Sequence, residues 1–181
     1  YRQIFSDEAE MHYFLTEVCK YDWNLEQDAG RSFKEATDLL SKEFPKYASQ
    51  IEAYDKRWEE MLGGTIKETE DILDEVAAAG KYPLYALTNW SAEKFPIAHA
   101  RYELFRHFKG IVVSGDEKVR KPHPELYQIL FERYSLKAEN CLFIDDSEPN
   151  ILTARKLGMY GIHFQGAEKL REELIQLGIL G

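Results

Sequence analysis

From Thr65 to the end of the chain, four short apolar runs alternate with amphipathic stretches, and this alternation restricts the fold more than any other feature. The runs are Leu84–Leu87, Gly110–Val113, Cys141–Ile144 and Gly161–Phe164. Each is too short for a helix, and each is bounded by proline, glycine or polar residues. Between them the apolar spacing predicts helices from Ile66 to Ala79, from about Ala92, from Pro124 to Tyr134, over a stretch that Gly158 terminates, and from Ala167 to Leu177. Strands alternating with helices predict βαβ units, right-handed crossovers and a Rossmann-like, mainly parallel α/β sheet with helices on both faces. Ligands of such sheets bind at the carboxyl ends of the strands, so the residues after each run carry the functional information.

Thr88-Asn89-Trp90-Ser91 follow the first run. A hydroxyl and free backbone amides at a strand-to-helix turn can hold a phosphate. Plain helix capping by Asn89 or Ser91 is the competing reading. Lys121-Pro122 comes after the second run, beyond Ser114-Gly115-Asp116. Pro122 biases Lys121 towards extended backbone, which could aim its ammonium over the strand ends; a solvated lysine in a proline turn is the alternative. Asp145-Asp146-Ser147-Glu148-Pro149 follow the third run. Two adjacent acids after Phe143-Ile144 need an offsetting cation if they are buried, and magnesium is such a cation. Their alternative role is to favour the amino end of the next helix, where Pro149 fits the first turn. A donor turn, a cation and an acid pair, ending three successive strands, converge on one rim and together suit phosphoryl transfer.

Residues Ser6 to Leu62 read as helical throughout. Met11, Phe14, Leu15 and Val18 recur at helical spacing, as do Phe33, Ala36, Thr37 and Leu40, and again Ile51, Tyr54, Trp58, Met61 and Leu62. Gly63-Gly64 ends the last of these. The expected division is therefore a helical domain over 1–64 and a core domain over 65–181.

The 181 residues carry a formal charge of -9, which argues against a general nucleic-acid binder. Forty-four per cent hydrophobic and 30% charged residues make a globular balance, and no apolar stretch is long enough for a membrane helix. Cys19 and Cys141 form no CxxC pair, and Cys141, opening an apolar run, is expected to be a buried thiol; this usage suits a reducing cytoplasm. The five histidines, His12, His99, His107, His123 and His163, show no metal-ligand spacing. Nothing in the sequence predicts an oligomeric state.

Leu87-Thr88-Asn89, the segment from Gly115 to Pro124 with Lys121-Pro122, and Phe143-Ile144-Asp145-Asp146-Ser147 resemble the second, third and fourth motifs of the haloacid dehalogenase superfamily. The resemblance spans roughly Thr65 to Phe164, and the helical region before it is similar to the helical cap of one large subclass. It implies that Thr88 and the Asn89 amide bind a transferring phosphoryl group and that Lys121 stabilises its charge. Asp146 would coordinate magnesium directly, and Asp145 directly or through water. The implied activity is a magnesium-dependent phosphatase acting on a small phosphorylated metabolite through an aspartyl-phosphate; a phosphomutase is a further option. The competing readings are a 2-haloacid dehalogenase, whose branch needs no magnesium and typically lacks the paired acids, and a non-catalytic relic of the fold that binds a partner.

The family's first motif, an apolar strand ending in the nucleophilic aspartate, has no counterpart here. Tyr1 to Asp7 do not match it, and Asp22, Asp28 and Asp38 lie in the helical region. About twenty further residues, a strand of five or six plus a loop, are expected before Tyr1. Without that strand the sheet is expected to be interrupted beside Leu142–Ile144.

Overall fold

The computed structural model describes all 181 residues. Residues 1–62 contain only helices and turns. Helix α1 (Glu8–Tyr13) starts at Asp7, whose side chain accepts from the Glu10 amide at 2.7 Å. It runs into a π-turn over Phe14–Val18, closed by Cys19 N donating to the Phe14 carbonyl at 2.8 Å. Helices α2 (Tyr21–Asp28), α3 (Phe33–Glu43, capped by Ser32 at 3.1 Å from the Glu35 amide) and α4 (Ala48–Lys56) follow. Phe14, Val18, Cys19, Leu40, Tyr47 and Ile51 form a core of their own in this region. Phe33, Ala36 and Leu40 are buried on one face of α3, as their spacing predicts.

The last apolar stripe is broken. Instead of continuing to Leu62, α4 stops at Lys56, and a 3-10 turn covers Trp58–Met61. The turn rotates Trp58 into contact with Trp90 and leaves Met61 exposed, so a tertiary contact overrides the helical period here. Leu15, also expected on a packing face, is exposed on the π-turn, where five-residue bonding rotates it off the stripe.

The remaining elements alternate. Helix α5 (Lys67–Ala79) stops at Gly80, whose φ of 62° is left-handed. Strand β1 (Leu84–Thr88), helix α6 (Phe95–Arg101), strand β2 (Phe108–Val113), the short turn α7 (Ser114–Glu117) and helix α8 (Pro124–Tyr134) come next. Strand β3 (Leu142–Asp145), helix α9 (Glu148–Lys156), strand β4 (Tyr160–His163) and helix α10 (Ala167–Gln176) complete the chain. Helix α6 begins three residues later than predicted. The Ser91 carbonyl accepts from both Lys94 and Phe95 amides, which holds 91–94 as a turn before the helix. Cys141 is only half-buried, not buried as expected; it precedes β3 and its thiol donates to the Lys137 carbonyl at 3.2 Å.

Side chains of successive strand residues point to opposite faces, and two cores result. On one face Leu87, Val112 and Phe143 pack with Leu126, Tyr127 and Leu130 of α8 and Ile151 and Ala154 of α9. On the other, Ile162 packs with Ile72 and Val76 of α5 and Leu170 and Leu174 of α10, with Leu84 and Leu142 at the margin. Helices thus cover both faces, as predicted, but the strands do not form one continuous sheet. β1 pairs in parallel with β2, β3 pairs in parallel with β4, and no strand joins the two pairs. The interruption falls beside Leu142–Ile144.

Candidate active site

The two strand pairs are tied together at their carboxyl ends by one side chain. Lys121 Nζ donates to the Leu87 carbonyl of β1 and to Asp145 Oδ2 of β3, each at 2.7 Å. It also lies 5.6 Å from the centre of the Phe143 ring. Both members of the ion pair are buried, with side chains 10% and 6% exposed. A buried pair is stable only if its remaining hydrogen-bonding capacity is used. Asp145 meets that condition: its Oδ1 accepts from the Ser147 amide at 2.9 Å and from Asn150 Nδ2 at 2.8 Å. Asn150 is held in turn by α9, whose Asn150 carbonyl accepts from Tyr127 OH at 2.9 Å. Burial, with the Asp145 charge nearby, pushes the Tyr127 phenol upward, so it stays a neutral donor.

Asp146, one residue on, is in the opposite situation. Alternation along the strand end turns its carboxylate into solvent, while its backbone carbonyl is 2.9 Å from His163 Nε2. The two acids therefore divide their work. Asp145 is committed to Lys121 and α9, and Asp146 keeps a free carboxylate beside it.

Asn89 positions Lys121 from the other side. Its Nδ2 donates to the Lys121 carbonyl at 3.0 Å and its Oδ1 accepts from the Lys121 amide at 2.8 Å. Both polar atoms of the Asn89 side chain are thus engaged with Lys121, and its backbone amide remains for a ligand. Thr88 ends β1, half-buried beside it. The structure gathers Lys121, Asp145 and Asn89 into one hydrogen-bonded group, with Thr88 and Asp146 adjacent to it in the chain.

Sequence reasoning passed over the residues that fix the turn after Thr88. Ser114 is fully buried; its Oγ accepts from the Trp90 amide at 2.9 Å and lies 3.4 Å from the Trp90 carbonyl. The Gly115 amide donates to that carbonyl at 3.0 Å. A Cβ on Gly115 would stand 2.3 Å from the Ala92 nitrogen, so the close approach requires glycine. The signal available was Ser-Gly directly after a strand predicted to end at the site.

The helical region docks onto this rim. Glu93 Oε1 accepts from the Phe33 amide at 3.1 Å, and Lys94 pairs with the Asp55 carboxylate and donates to its carbonyl at 3.1 Å. Gly30, at φ 98°, rests against the Gly115 carbonyl and Lys118. Trp58 and Trp90 meet edge to face at 6.1 Å. Burial pushes the Asp28 carboxyl up to about 6, opposed by the Arg120 guanidinium.

The group can do three things chemically. Backbone amides at the Thr88–Asn89 turn offer donors to an oxyanion. Lys121 offers positive charge in a dry setting, where it acts more strongly than in water. Asp146 offers a hard oxygen ligand. No cluster of three or more His, Cys, Asp or Glu side chains suited to a metal occurs. Magnesium does not require one: it binds through one or two carboxylates, completed by water and substrate phosphate. Asp146 fits that role, and Asp145 fits at most contact through water, because Lys121 and the α9 donors occupy its oxygens.

Comparison with known proteins identifies the family. The family of haloacid dehalogenase-like hydrolases matches residues 6–158. Flavin mononucleotide hydrolase 1 of Arabidopsis thaliana is 30% identical over 105 residues, covering 58% of this chain and 42% of that protein. The sesquiterpene phosphatase astK of Aspergillus oryzae is 31% identical over 106 residues, covering 59% of this chain and 54% of that protein. The chain thus spans about half the length of the curated relatives it matches. A haloacid dehalogenase family enzyme of Bacteroides thetaiotaomicron, in complex with magnesium and inorganic phosphate, superposes with a TM-score of 0.65 at 25% identity, covering 82% of this chain and 77% of that one.

Proposed function

The chain belongs to the haloacid dehalogenase-like hydrolases, and from that premise we propose that it is the phosphate- and magnesium-binding part of a phosphatase for a small phosphorylated molecule. The observation that carries the reading is the buried Lys121 ammonium, held by Leu87 and Asp145 beside the free carboxylate of Asp146. A cation fixed before substrate arrives needs no reorganisation when charge develops on the phosphoryl oxygens. Thr88 and the Asn89 amide hold the phosphoryl group, and Asn89's side chain keeps Lys121 aimed at it. Magnesium, on Asp146, would supply further positive charge to the phosphoryl oxygens. The relatives named as a flavin mononucleotide hydrolase and a sesquiterpene phosphatase, and the magnesium and phosphate in the Bacteroides enzyme, support this choice over dehalogenation.

The nucleophile in this reading is an aspartate on a further strand, seated between β1 and β3 and contributed by residues outside 1–181. Two parallel strand pairs that no strand joins, with Lys121 linking the carboxyl ends of β1 and β3, support it. Attack of that aspartate on phosphorus breaks the P–O ester bond, the leaving alkoxide takes a proton from water, and the aspartyl-phosphate is then hydrolysed by a second water. The test uses the protein together with its upstream strand. Hydrolysis of an aryl phosphate should require magnesium, stop on chelation, and fall by at least about a hundredfold in Asp146→Ala, the size expected for losing a principal electrostatic contact. Turnover of 2-chloropropionate in the presence of chelator would establish dehalogenation instead. Absence of both activities would leave a binding protein.

A further inference from the structure

The alcohol side of the substrate has a place in this structure as well. A phosphate at the Thr88–Asn89 turn lies on the rim that the helical region covers, so its ester substituent must extend between rim and helices. Two indoles meet there. Trp90 follows Asn89 directly, and Trp58 approaches it from the helical region at 6.1 Å, at an interplanar angle of 60°. Phe95 extends the group, 5.7 Å from Trp90. Trp58 and Trp90 are both only partly buried. Trp90 is also rigidly set, since Ser114 and Gly115 hold its backbone on both sides.

Four of the charged side chains flanking the indoles, Arg57, Glu93, Lys94 and Arg101, are already engaged. Glu93 accepts from the Phe33 amide, Lys94 is paired with Asp55, and Arg101 donates to the Glu59 carbonyl at 3.3 Å. They have little left for a charged or polyhydroxylated alcohol, which would lose its water without equivalent partners. An aromatic or apolar group would instead gain contact with two fixed rings.

We propose that Trp58 and Trp90 are specificity-determining residues forming an aromatic wall, and that the site prefers phosphate monoesters of aromatic or apolar alcohols. The proposal rests on the phosphatase reading above, and the test separates the two. The binding of inorganic phosphate, 2-naphthyl phosphate and glycerol phosphate is measured by calorimetry in the presence of magnesium. Indole fluorescence provides a second readout. Naphthyl phosphate should bind about tenfold or more tightly than glycerol phosphate, the effect of stacking one buried ring system, and should quench the indole emission. Trp90→Phe should keep most of that ratio, because an aromatic face remains. Trp58→Ala should bring it towards one. Should either variant fail to fold, shielding of the wild-type indoles from acrylamide by naphthyl phosphate, but not by inorganic phosphate, tests the same contact. If inorganic phosphate and both esters bind equally, the wall is overturned and the phosphate site stands. If none binds, the phosphate site itself falls and the wall with it.

Discussion

Lys121 shows how much one residue can carry. Its position beside Pro122 suggested a role, but the same dipeptide fits a solvated turn. What decides is burial: the side chain is 10% exposed, and its ammonium sits between a carbonyl and a carboxylate. Removing it strands the Asp145 charge. Lys121→Met should therefore destabilise the protein by about 3–5 kcal/mol, the usual cost of orphaning one partner of a buried pair. The double variant Lys121→Met with Asp145→Asn should recover part of that loss. It leaves no buried charge, and the asparagine oxygen still accepts from Ser147 and Asn150. Urea denaturation of the wild type, both single variants and the double variant measures this, and a double variant as unstable as the sum of its parts would show that the two residues do not act as a pair. The residues alone made the acids legible as a pair; only the family resemblance told them apart, and it left the contact of Asp145 open. Chain adjacency is visible in a sequence, whereas which carboxylate faces inward depends on the register of β3 against the core.

Among the elements, the run lengths and helical spacings of the carboxyl-terminal region were sufficient. Helix α8 occupies the predicted range, Pro124–Tyr134, because Pro124 supplies a preset first turn and the apolar residues Leu126, Tyr127 and Leu130 all find one face. Boundaries failed where contacts from distant elements intervene, as at α4 and α6. The turn between β1 and α6 is the clearest case, since its shape is imposed by Ser114 and Gly115 from the next strand. Gly115→Ala should cost about 1–3 kcal/mol, an overpacking penalty, because the new methyl meets backbone at Ala92, which cannot rotate away. It should also shift the emission of Trp90, whose backbone shares that contact. An unchanged spectrum with full stability would mean the turn relaxes easily and is not held by β2.

At the scale of the whole molecule, the helical region and the strand region each have a core, and polar and aromatic contacts join them. Asp28 lies in α2 near Arg120 and Tyr54 on that junction. Its carboxyl is raised from 3.8 to about 6, chiefly by burial, with Arg120 acting in the opposite direction. The sign follows from linkage. The folded protein holds this proton more tightly than the unfolded chain, so the contribution to stability is present below pH 3.8 and is lost as pH rises through about 6. Asp28→Asn removes that dependence. The stability of the variant relative to the wild type should therefore grow between about pH 4 and pH 7 and then level off. Paired denaturation curves at several pH values measure it, and a constant difference would mean that Asp28 titrates normally. The sequence by itself determined the alternation of strands and helices, the helical character of residues 6–62 and the rim where the motifs end, because hydrophobic period and turn residues are local properties of a chain. Tertiary structure alone decided that Asp145 belongs to Lys121 while Asp146 stays free, that Asn89 and Ser114 fix the turn after Thr88, and that Trp58 meets Trp90. Each of these is a contact between residues far apart in the chain, set by strand register and by the seating of the helices on the sheet.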